Sequence, residues 1–68
     1  MIDYQALGQK IRQLRRIENL TQEELAQKLS VSISFVGHLE RGTRTASLET
    51  LLSLCAELKT TPNDLLAD

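Results

Sequence analysis

Wound into a helix, the stretch VSISFVGHLERG (residues 31–42) would turn Ser34, Gly37, His38 and Arg41 to one side. That side carries a hydroxyl, bare backbone, an imidazole and a guanidinium. Thr43 and Arg44 follow at once, and Gln22 lies upstream, where another helix should start. Such a set donates and accepts hydrogen bonds and pairs with anions. It is not a set for covalent or metal chemistry. His38 is the only histidine and Cys55 the only cysteine, so no His/Cys cluster exists to hold zinc. Glu23 and Glu24 are adjacent carboxylates, but neighbours on a helix point different ways, and capping explains them. The chemistry on offer is recognition by hydrogen bonds and charge. No catalytic residue, cofactor, metal or small-molecule ligand is expected.

The chain has 68 residues, which suits one domain spanning residues 1–68 and leaves little room for a core, a catalytic cleft and a cofactor pocket together. Hydrophobic residues make up 41% and charged residues 25%, as in ordinary globular domains. Tyr4 and Phe35 are the only aromatics, which argues for aliphatic helix packing and against stacking on single-stranded nucleic acid. One cysteine cannot form an internal disulfide, and no apolar run approaches a membrane span, so a cytoplasmic protein without a membrane partner is expected. The net charge is −1, but it is divided unevenly. Residues 1–46 carry seven basic and five acidic side chains; residues 47–68 carry one and four. A weakly acidic protein can therefore present a locally positive field.

Helix signals follow one another along the chain. Leu7, Ile11 and Leu14 form an inward stripe on a helix over Tyr4 to Glu18, which Asn19 can end in a left-handed conformation. Thr21 and Glu24 form a capping box for a second helix, Gln22 to Leu29, with Leu25, Ala26 and Leu29 inward. After the turn Ser30–Val31–Ser32, Ser32 can cap a third helix, Ile33 to Arg41, with Val36 and Leu39 inward and Gly42 as its stop. Ser47 caps a fourth, Leu48 to Leu58, with Leu48, Leu51, Leu54, Cys55 and Leu58 inward. Thr61 and Pro62 open a short fifth. The expected fold is all-α: five short helices around one core.

Residues 22–41 hold two short helices joined by a tight turn, with small Ala26 where they would cross. This is the spacing of a helix-turn-helix, whose second helix enters the DNA major groove. With LGQKIRQLR before it, LTQEELAQKLSVS through it, LERG after it and LETLLSLCAELKTTPNDLL beyond, the chain resembles the DNA-binding domain of the phage repressor/Cro (XRE-type) family. The resemblance covers nearly the whole chain. It implies a transcriptional regulator, a repressor by expectation, that binds double-stranded operator DNA as a homodimer. It places Ile33, Ser34, Gly37 and His38 at base edges and Gln22, Arg41, Thr43 and Arg44 at phosphates. A helix N-terminus at Gln22 suits an anion on physical grounds as well. The resemblance also makes Arg15 and Glu40 a buried structural salt bridge. Ser30 stands where the family usually has glycine, which calls for either a strained backbone or a variant turn.

Plainer roles stand beside these. His38 could be a solvated surface residue and Gly37 only a poor helix former. Ile33 could pack at the core edge instead of touching a thymine methyl, and Ser34 could cap. Cys55 reads as core. Leu52, Leu65 and Leu66, on helix 4 and at the C-terminal end, are expected to remain partly exposed as a dimer contact. The reading face lacks long amide side chains, so the alternative function is a protein–protein module on the same fold with weakened or lost DNA binding.

Overall fold

The computed structural model describes residues 2–67; Met1 and Asp68, the ends of the expected 1–68 unit, lie outside the described residues. Five helices follow in order, α1 (Tyr4–Ile17), α2 (Gln22–Leu29), α3 (Ile33–Arg41), α4 (Leu48–Glu57) and α5 (Pro62–Leu66), with no strand among the described residues. The all-α expectation of five short helices is met. Helices 1 and 4 each stop one residue earlier than expected, with Glu18 and Leu58 as caps.

Polar side chains start the helices. Thr21 Oγ1 accepts from Glu24 N at 3.0 Å while Glu24 Oε1 accepts from Thr21 N at 2.9 Å, which completes the capping box. Ser32, Ser47 and Thr61 each accept from the backbone amide three residues on. Asp3, which the sequence reading passed over, caps α1 through Gln5 N and Ala6 N.

Left-handed residues do the stopping. Asn19 (φ 58°) and Gly42 (φ 75°) take that conformation as expected, and so does Ser30 (φ 57°, ψ 42°). Ser30 therefore keeps the left-handed turn and bears its steric cost, rather than adopting a variant.

Every helix contributes to one core cluster: Ile11, Leu25, Ala26, Val36, Leu39, Leu54, Cys55, Leu58 and Leu65 are all buried. Two expectations fail here. Leu48 is 72% exposed, not inward. It is the first residue of α4, and helical side chains lean toward the N-terminus, so it projects past the end of the helix. Leu65 is 1% exposed, not a free surface residue, because α5 packs on both α1 and α4. Leu52 and Leu66 do remain exposed.

Two close backbone approaches at glycines fix α1 against α3. A Cβ at Gly8 would come within 3.0 Å of the Leu39 and Glu40 carbonyls, and one at Gly42 would press on the Gln5 backbone. At the far end of the chain, Lys10 Nζ donates to the Asp64 and Ala67 carbonyls at 3.0 and 2.6 Å, tying the end of α5 to α1. No helix among the described residues is long and apolar enough to cross a membrane.

Candidate nucleic-acid interface

The candidate surface is the outer side of α3 with the loop that follows it. Val36 and Leu39 bury the inner side, and Gly42 turns the chain back over the last turn, where Thr43 N donates to the His38 carbonyl at 3.0 Å. The turn between α2 and α3 has three residues, so α3 is held at a fixed crossing on α2.

A buried carboxylate anchors this unit from behind. Arg15 grips Glu40 with both arms of its guanidinium, Nε to Oε2 at 2.5 Å and Nη2 to Oε1 at 3.1 Å. Its remaining Nη1 donates to the Leu20 carbonyl at 2.8 Å. Arg15 and Glu40 are 8% and 6% exposed, and no buried side-chain N or O among the described residues lacks a partner. This satisfied arrangement makes such a pair tolerable in a core; isolating either charge would be costly.

Gln22 belongs to the same arrangement. Its Nε2 donates to Glu40 Oε1 at 3.1 Å, while Arg12 Nε stands 4.0 Å from that oxygen. The Gln22 side chain thus turns partly inward and gives one of its two amide N–H groups to Glu40. Sequence reasoning missed both Gln22 and Arg12 as partners of Glu40. A contact between residues 22 and 40 leaves no periodic signal.

The outward residues separate into three situations. Ile33, 49% exposed, and Ser34 are open to solvent. Ile33 does not fill the core edge, and Ser34 does not cap α3, since Ser32 does. His38 and Thr43 face each other, with Nδ1 of the ring 2.8 Å from the threonine Oγ1. Gly37 is buried rather than bare, because the Arg41 guanidinium lies over it; a Cβ at Gly37 would meet Nη1 at 3.0 Å. The surface at this point is therefore the guanidinium, one helical turn away, and not the Gly37 backbone.

Arg44 lies with its guanidinium carbon 5.9 Å from the centroid of the Phe35 ring, within cation–π range. Neither Arg41 nor Arg44 has a carboxylate within salt-bridge distance among the described residues, whereas Lys28 and Lys59 pair with Glu57 and Glu18. Arg41 and Arg44 thus leave positive charge uncommitted beside α3, as Arg16 does on α1. Among the described residues no group of three or more His, Cys, Asp or Glu side chains is placed to hold a metal ion.

Two short helices, a three-residue turn and an outward second helix define a helix-turn-helix protein, and the chain belongs to the helix-turn-helix family, whose profile matches residues 11–65. It is similar to control protein C.BamHI of Bacillus amyloliquefaciens, 38% identical over 60 residues that span 87% of this chain and 74% of that one. Among solved structures it is similar to the restriction-modification controller protein C.AhdI from Aeromonas hydrophila, with a TM-score of 0.86, 40% identity, and 93% and 96% of the two chains covered. It is also similar to SinR, a master regulator for biofilm formation solved in complex with DNA, with a TM-score of 0.81, 31% identity, and 88% and 97% coverage.

Proposed function

We infer that the chain is a sequence-specific regulator of transcription that binds double-stranded DNA in the cytoplasm, with α3 in the major groove. The observation that carries this reading is the composition of the outer side of α3. Its polar and cationic groups are clear of the core, while its inner side is anchored by Glu40. The similarity to controller proteins and to a regulator solved with DNA supports it.

Ile33, Ser34 and His38 read base edges in this account. Gly37 contributes by letting Arg41 lie flat across the helix, and Arg41 and Arg44 supply charge to the phosphates on either side. Gln22 orients the start of α2, where its backbone amide faces a phosphate. An operator covered in this way is closed to other proteins, so repression is the outcome we assign. One α3 reads only a few base pairs. A homodimer built on the exposed Leu48, Leu52 and Leu66 would bring two to half-sites about one DNA turn apart.

The test is a duplex titration at several salt concentrations, with sequences drawn from an unbiased selection. The logarithm of affinity should fall linearly with the logarithm of salt, since phosphate contacts release counterions. Arg44→Ala should weaken all sequences alike and flatten the slope by about one unit. If no duplex binds even at low salt, the chain is instead a protein–protein module on this fold.

A further inference from the structure

We propose that Thr43 holds His38 in its Nδ1–H tautomer, so that Nε2 is a hydrogen-bond acceptor that reads the exocyclic amine of an adenine or a cytosine. The base-edge half of this rests on the DNA-binding reading above. The tautomer half rests on geometry alone.

Among the described residues, Thr43 Oγ1 has two side-chain hydrogen-bond contacts, both to His38. Nδ1 is 2.8 Å away and the carbonyl oxygen 3.3 Å away. A hydroxyl has one proton to give, and a carbonyl oxygen only accepts. Contact with the carbonyl therefore takes the threonine proton. The Oγ1 lone pairs then face Nδ1, which must be the donor. The reverse arrangement, hydroxyl to Nδ1, would set the Oγ1 lone pairs against those of the carbonyl. Of the two neutral tautomers, only the one with Nδ1–H satisfies both contacts.

The backbone keeps the hydroxyl there. Gly42 turns left-handed at φ 75°, its own N–H donates to the Leu39 carbonyl at 3.2 Å, and Thr43 N donates to the His38 carbonyl at 3.0 Å. Thr43 thus acts as a positioning residue for the ring.

A neutral ring with its proton on Nδ1 leaves a lone pair on Nε2. In the major groove adenine and cytosine offer an amine donor, whereas guanine and thymine offer acceptors there. On the strand it faces, Nε2 therefore selects adenine or cytosine. Serine, glycine and isoleucine beside it make no bidentate contact, so this single bond carries much of the direct reading.

His38 is the only histidine, so its two ring nitrogens can be assigned without ambiguity in 15N-labelled protein. With the ring neutral, a long-range 1H–15N correlation should show a protonated Nδ1 and a bare Nε2. Thr43→Val should move the proton to Nε2, and Thr43→Ser should restore it. A wild-type Nε2–H, or a tautomer indifferent to Thr43→Val, overturns the proposal.

The second arm uses DNA. At the base pair whose preference His38→Ala erases, a base analogue lacking the exocyclic amine should cost wild-type protein about five-fold in affinity. It should cost His38→Ala nothing, and a 7-deazapurine should be neutral for both. Sensitivity to the 7-deazapurine in place of the amine, or no preference erased by His38→Ala, overturns the base-edge half. If no duplex binds, that half falls with the DNA-binding reading, and the spectrum still decides the tautomer.

Discussion

Glu40 ties three helices together through one carboxylate. It is on α3, its fork partner Arg15 is on α1, and Gln22 at the head of α2 donates to the same group. Glu40→Ala would leave the Arg15 guanidinium buried without its counter-charge and should destabilise the fold by about 3–5 kcal/mol. Gln22→Ala removes one hydrogen bond to a charged acceptor and should cost about 1.5–3 kcal/mol. Urea denaturation of both variants checks the order. A Gln22→Ala protein of unchanged stability but weakened DNA binding would return that side chain to the phosphate. The types and positions of Arg15, Glu40, His38 and Arg44 were legible in the sequence. The family resemblance also paired Arg15 with Glu40, whereas the partners of the others were not legible. Thr43 on His38, Arg44 on Phe35 and Arg41 over Gly37 depend on side-chain torsions and on a loop without periodicity, and neither leaves a pattern along the chain.

The helices were legible because their ends are written in capping chemistry. Thr21, Ser32, Ser47 and Thr61 sit before apolar periodic runs, and each caps the helix it precedes. What the periodicity could not settle was which way the terminal turns face, as Leu48 and Leu65 show. The capping box of α2 also makes stability depend on pH. The backbone N–H of Thr21, and then its hydroxyl, hold the Glu24 carboxyl below its ordinary value of 4.5. A depressed folded-state value stabilises the protein above the unfolded value, and this is lost as pH falls through the folded one. Thermal melts of wild type should therefore weaken as pH drops below about 4.5. Those of Glu24→Gln, which can keep the hydrogen bond without the charge, should weaken less.

In the molecule as a whole, the core and the candidate reading face lie on opposite sides of α3, so loss of fold and loss of recognition need separate readouts. Cys55 provides one for the fold. It is 5% exposed, and burial pushes its thiol above the ordinary value, so the reactive thiolate is scarce in the native state. Alkylation of Cys55 should be slow in native protein and rise with urea in step with unfolding; rapid native labelling would show that α4 opens locally. Disruption at Arg15 or Glu40 should speed labelling, whereas His38→Ala should leave it unchanged. The tie between Lys10 and the end of α5 has a different kind of consequence. It grips main-chain carbonyls of Asp64 and Ala67, and every residue type supplies the same carbonyl. The outward side chains of the final turn are therefore free to diverge in evolution without loosening that anchorage. Related chains could come to prefer different pairing partners at this end while the candidate DNA interface on α3 stays as it is.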